Sequence, residues 1–161
     1  MKVVVLSDTH RMFRNAVKIV EDHLDADMFI HLGDGESDYQ QILSLYPDLA
    51  SKFYYVKGNC DYENAPISQT IDVMPGHRIF ATHGHRFHAR STTVYMEQLA
   101  RESGCDILLY GHTHIAQCAY HGGLYVINPG SASSPRDEKP PSYALLDITS
   151  AGVMPNIIYL I

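Results

Sequence analysis

Residues 2–10, Lys2-Val3-Val4-Val5-Leu6-Ser7-Asp8-Thr9-His10, decide the fold. An unbroken β-branched run that stops abruptly at polar residues has the signature of a parallel strand buried on both faces. Working outward, Phe13, Val17, Val20 and Leu24 recur at helical spacing. Residues 27–32, DMFIHL, then predict a second strand, ended by Gly33-Asp34-Gly35. A short helix over 38–46 stops at Pro47, and residues 52–57, KFYYVK, give a third strand ended by Gly58. This β-α-β-α-β order implies a parallel sheet with right-handed crossovers.

Beyond residue 66 the texture changes. ISQTIDVM (67–74), Pro75-Gly76 and HRIFATHG (77–84) predict a hairpin, and a helix is expected from about Thr92 to Ser103, closed by Gly104. Strands follow at DILLY (106–110), AQCAY (116–120), LYVIN (124–128), SYALLDI (142–148) and VMPNIIYLI (153–161). An α/β sandwich of two packed sheets accommodates both halves. Residues 1–161 are expected to form one domain, with SASSPRDEKPPS (131–142) as a long surface loop.

Composition narrows the function classes. Net charge is −6, with 45% apolar and 19% charged residues, which argues against general nucleic-acid binding. No apolar run reaches membrane-spanning length, and the apolar start is too short for a signal peptide, so a cytoplasmic protein is expected. Three cysteines without a C-x-x-C pair make a poor disulfide framework and a poor thiolate zinc site. Histidine, at ten copies, is the unusual residue.

Five predicted strands end directly in groups able to ligate a metal: Asp8-x-His10, Asp34, Asn59, His83 and His112-x-His114. Ligand sites of open α/β sheets lie outside the carboxyl ends of strands, so these scattered residues can converge there. Mixed carboxylate, amide and imidazole donors suit Mn²⁺, Ni²⁺, Fe, Co²⁺ or Zn²⁺. Seven side chains exceed one tetrahedral ion and match two ions sharing a carboxylate, a clamp for a phosphoryl group. Taken singly, most of these residues read as turn formers or surface histidines. Together, at successive strand ends, they read as a metal site.

In order along residues 7–131, SDTH, HLGD, KGNCD, THGH, GHTH and NPGS resemble the calcineurin-like metallophosphoesterases, most closely the YfcE-type phosphodiesterases. The resemblance implies a four-layer αββα sandwich of two mixed β-sheets. It implies one metal held by Asp8, His10, Asp34 and His114, and a second held by Asp34 as bridge with Asn59, His83 and His112. Mn²⁺ is the expected ion, and the implied reaction is attack of a metal-bridging hydroxide on a small phosphodiester. Asp61 and the 128–131 loop, Asn128-Pro129-Gly130-Ser131, are candidates to support the ligands.

Cys60 stands where many relatives carry a histidine that protonates the leaving oxygen, and Arg11-Met12 where many carry Gly-Asn. His85 and Cys60 are thus candidates to assist the leaving group, and Arg11, Asn59 and His85 to touch substrate. A preference for diesters follows mainly from the family branch. A phosphomonoesterase or nucleotidase is the near alternative. From a different class comes a non-catalytic protein-interaction scaffold of the same fold, as the retromer subunit is. His23, His77 and His121 are expected to be solvated, Cys105 and Cys118 to be small core residues, and Tyr62 is close enough to line a pocket. Apolar terminal strands such as NIIYLI (156–161) are compatible with a homodimer or higher homo-oligomer.

Overall fold

The computed structural model describes residues 1–161. The first half runs β1 (Lys2–Leu6), α1 (Phe13–Glu21), β2 (Met28–His31), α2 (Glu36–Leu45) and β3 (Phe53–Tyr55). The second half runs β4 (Ser68–Met74), β5 (His77–Thr82), α3 (Val94–Glu102), β6 (Ile107–Tyr110), β7 (Ala116–His121), β8 (Leu124–Pro129), β9 (Ser142–Thr149) and β10 (Gly152–Tyr159). The strands form two mixed sheets of five, ordered β10-β9-β1-β2-β3 and β4-β5-β6-β8-β7. In the first, β1, β2 and β3 are parallel, with Val3 opposite Met28 and Phe29 opposite Phe53. In the second, β5, β6 and β8 are parallel and antiparallel strands occupy the edges.

The period of two along each strand separates three cores. Val3, Val5, Ile30 and Leu146 of the first sheet meet Ile79, Ile107, Leu109 and Ile127 of the second in the central layer. The alternate residues, Val4, Leu6 and Phe29, pack outward on Ala16, Ile19, Val20 and Ile42 of α1 and α2. On the far side, Phe80, Leu108, Tyr110 and Val126 pack on Met96 and Ala100 of α3. The layers are therefore α, β, β, α, as the resemblance implied. β1 and β2 are buried on both faces because sheet covers one and helix the other.

Several local expectations change. The first helix ends at Glu21, so Leu24 leaves the apolar stripe and is half exposed. His23 is not simply solvated: it is half-buried and its Nε2 lies 2.8 Å from the Tyr143 hydroxyl. His77 bridges elements, with Nδ1 2.6 Å from Asp106 Oδ2 and Nε2 3.0 Å from the Thr149 carbonyl. Cys105 is buried, but Cys118 is exposed: it pairs with Ile127 and shares its inter-sheet face, yet β7 is the edge strand and leaves it uncovered. His121 is exposed as expected.

Candidate metal centre

β1, β2, β3, β5 and β6 all end at one rim of the sandwich, and the turns after them bring Asp8, Asp34, Asn59, His83 and His112 together. The backbone at this rim is unusual. Asp8, His10, Arg11, Asp34, His112 and His114 all have positive φ, between 44° and 66°. Such conformations cost L-residues energy and persist where the surroundings over-determine them. Two glycines make room. A Cβ on Gly58 would collide with the side chain and backbone N of Asp34, and one on Gly111 would collide with the Ser7 hydroxyl.

Asp8 and Asp34 are buried, and imidazoles surround them. His114 Nε2 lies 3.1 Å from Asp8 Oδ1, and His10 Nε2 lies 3.8 Å from the same oxygen and 3.9 Å from Asp34 Oδ2. His83 Nε2 is 3.6 Å from Asp34 Oδ2, 4.0 Å from Asp8 Oδ1 and 3.2 Å from Asn59 Oδ1. Donor atoms of Asp8, His10 and His114, and of Asp8, Asp34 and His83, fall within 4.8 Å of one another. The first group matches part of the first expected ligand set; the second matches Asp34 and His83 of the other, with Asp8 added. His112 stands slightly apart: its backbone N–H donates to Asp8 Oδ2 at 3.0 Å, and its ring meets that of His83 edge-on, centroids 5.1 Å apart. Cys60 comes closer than the sequence suggested, its Sγ grouping with His10 and Asp34.

Hydrogen bonds fix which ring nitrogen faces the centre. His83 Nδ1 is 2.7 Å from the Leu32 carbonyl, and His114 Nδ1 is 2.7 Å from that of Ser134. A carbonyl only accepts, so each Nδ1 carries a proton and, in the neutral ring, each Nε2 presents a lone pair inward. His10 Nε2 and His114 Nε2 lie 3.2 Å apart, and Asp8 Oδ1 is buried without a hydrogen-bond partner. Lone pairs and carboxylate oxygens thus converge on common points with too few protons between them. That arrangement fits divalent cations bound by oxygen and imidazole.

Charges follow this geometry. Burial alone would raise the Asp8 pKa, but the His114 and His83 imidazoles and the Ser7 hydroxyl bring it down to about 2. Burial, then the neighbouring His83, lowers His112 to about 4. Burial likewise lowers His85, whose Nδ1 has no partner and whose ring lies 5.3 Å from that of His83. Burial and then Asp34 raise Cys60 to about 11, so it is a thiol at neutral pH.

Around the ligands lies a shell only partly foreseen. Asp61 Oδ2 accepts from Asp34 N, Gly58 N and the Tyr55 hydroxyl, and its Oδ1 accepts from Gly35 N and Glu36 N. The Ser131 hydroxyl donates to the Asp8 carbonyl at 2.7 Å, and Asn128 Nδ2 donates to Gly111 O at 3.0 Å. Unforeseen was a buried trio of Thr9, His31 and Asp38. Thr9 Oγ1 and Arg11 N donate to Asp38 Oδ2, and His31 Nε2 lies 3.2 Å from Thr9 Oγ1. The available signals were a histidine inside the apolar run DMFIHL and an aspartate in the first turn of α2. A cavity of about 540 Å³ borders the centre on the side of His10, Asp34 and Asn59, and Arg11, Cys60 and Tyr62 also line it. His85 is not among its walls.

Fold and site together define a metallophosphoesterase, and comparison with known proteins gives the same class. Residues 1–151 match the model of the calcineurin-like phosphoesterase superfamily domain, and the chain belongs to that superfamily. Among its relatives, the probable metallophosphoesterase YsnB of Bacillus subtilis is 32% identical over 149 residues, covering 92% of this chain and 85% of YsnB. The solved phosphoesterase YfcE of E. coli superposes with a TM-score of 0.71 at 26% identity, covering 91% of this chain and 88% of that one. A single mutant of Vps29 from Entamoeba histolytica superposes with a TM-score of 0.74 at 26% identity, covering 99% of each chain.

Proposed function

We propose that this protein is a metal-dependent phosphodiesterase that uses two divalent cations. The carrying observation is the convergence of His10, His83 and His114 Nε2 on the buried carboxylates of Asp8 and Asp34, with Asp8 Oδ1 left unpartnered. Asp8, His10, Asp34 and His114 would hold one ion. Asp34, Asn59, His83 and His112 would hold the other, and the oxygen-imidazole donor set suits Mn²⁺, with Ni²⁺, Fe, Co²⁺ and Zn²⁺ as alternatives. Held there, two such ions would supply charge neutralisation for the phosphate and a water acidified for attack at phosphorus.

The chain's own residues orient the reaction. Asp34 lies between both ligand sets, and Cys60 N donates to its Oδ1 at 2.7 Å, fixing the carboxylate. Asn59 contributes a neutral oxygen that leaves the centre positive toward an anionic ester. Arg11, across the cavity, offers a guanidinium to a non-scissile phosphate oxygen. The Cys60 thiol keeps its proton at neutral pH and borders the cavity, while His85 is not among the cavity's walls and its ring lies 5.3 Å from that of His83. Neither is as effective an acid for an alkoxide as an imidazolium at the Cys60 position, so esters with good leaving groups are favoured. A small cytoplasmic phosphodiester is the substrate class that fits.

The second reading is the non-catalytic scaffold of the same fold, one that works through protein contacts; the chain superposes on Vps29 as well as on YfcE. With Mn²⁺ added, bis-p-nitrophenyl phosphate should be hydrolysed faster than p-nitrophenyl phosphate, and Asp34→Ala should abolish turnover and lower metal content. A much faster monoester rate would replace the diesterase reading with a phosphomonoesterase. Metal-free protein whose turnover and metal content ignore Asp34→Ala would favour the scaffold.

A further inference from the structure

We propose that Tyr62 is a stacking platform for a planar aromatic substituent, an aryl ring or nucleobase, on the phosphoester bound at the metal centre. This rests on the phosphoesterase reading and narrows its substrate class. Tyr62 lines the same cavity as His10, Asp34 and Asn59, yet it is 90% exposed. A ring so exposed adds almost nothing to the hydrophobic core, so packing does not account for it.

Exposure would mean little if the segment were loose, but its backbone is held from two sides. Tyr62 N donates to Glu36 Oε2 at 2.6 Å, and Glu63 N donates to both Glu36 oxygens at 3.2 Å. From the other side, Lys57 Nζ donates to the Tyr62 carbonyl at 3.3 Å and the Glu63 carbonyl at 2.8 Å. The preceding residue, Asp61, accepts from Asp34 N at 2.9 Å. The Cα of Tyr62 is thereby fixed relative to a metal-centre carboxylate through a single intervening residue. Glu36 is taken up by these backbone donors, while Arg11 lines another part of the cavity. A phosphoester seated on the metals can therefore place its phosphate near Arg11 and a flat substituent against Tyr62. Aromatic stacking on an open ring is tolerant of base identity and is worth roughly tenfold or more in affinity.

The test is calorimetric titration of the Mn²⁺-loaded protein with adenosine 5′-monophosphate, phenyl phosphate and methyl phosphate. The two ring-bearing ligands should bind about tenfold tighter than methyl phosphate. Tyr62→Ala should remove that preference and leave methyl phosphate binding unchanged, while Tyr62→Phe should retain it. A tighter adenosine ligand identifies a nucleobase as the natural occupant, and equal binding of both rings identifies aryl groups in general. No ring preference in the native protein, or one that survives Tyr62→Ala, would overturn the proposal while leaving the phosphoesterase reading intact. Failure of all three ligands to bind would overturn the proposal, while hydrolysis of bis-p-nitrophenyl phosphate decides the phosphoesterase reading separately.

Discussion

Replacing Asp61 with Asn tests how the centre is held together without touching a proposed ligand. Its carboxylate is buried and accepts five hydrogen bonds, three at Oδ2 and two at Oδ1. An amide can accept at only one of these positions. The less costly orientation places the NH₂ at the Oδ1 position, facing the N–H groups of Gly35 and Glu36, each now 3.2 Å from a donor. Hydrogen bonds to a charged group are worth about 1.5–3 kcal/mol, and these two are long, so the expected loss is about 3 kcal/mol. In a chain of this size that lowers Tm by about 6–12 °C. Urea unfolding of metal-free protein measures it directly. A difference below about 1 kcal/mol would refute the view that this carboxylate organises the rim. Linkage supplies a second check. Burial opposes ionisation of Asp61, but the Tyr55 hydroxyl and the backbone N–H groups outweigh it and hold the pKa below its ordinary value. A depressed carboxylate stabilises the fold above its unfolded pKa near 4 and loses that contribution as pH falls through the folded value. Asp61→Asn should remove this acid-side dependence.

Other consequences can be measured separately. Gly58→Ala would drive a methyl into Asp34, so Mn²⁺ affinity should fall by more than about tenfold by calorimetry; an unchanged affinity would show that the turn adapts freely. His31 is fully buried, and burial lowers its pKa to about 4 from an unfolded value of 6.5, so metal-free protein should lose stability as pH falls through that interval. The full loss approaches about 3 kcal/mol, and His31→Gln should flatten that slope in urea titrations between pH 7 and 4. Asp38→Asn, which weakens the clamp on Thr9 Oγ1 and Arg11 N, should lower metal content by mass spectrometry while the far-ultraviolet spectrum stays native. Leu109→Ala in the inter-sheet core should cost about 2–5 kcal/mol with Mn²⁺ stoichiometry retained.

Local patterning already determined much of this protein. The run Val3-Val4-Val5-Leu6 identified a strand covered on both faces, because a strand with no polar residue has no face to offer water. The polar residues at successive strand ends marked one rim, since parallel strands place their carboxyl ends together. Events that depend on distant partners were not readable. Helix α1 stops at Glu21 although the apolar spacing continues to Leu24, because the chain must turn there to enter β2. Cys118 is exposed because β7 lies at a sheet edge, a position no local residue encodes. Thr9, His31 and Asp38 meet across 29 residues of sequence, and their burial makes a hydrogen-bonded trio of what looked like isolated polar residues. The sequence determined which donors were available. Tertiary structure decided which of their atoms face one another, because the inward Nε2 of His83 and of His114 depends on a carbonyl from a distant segment.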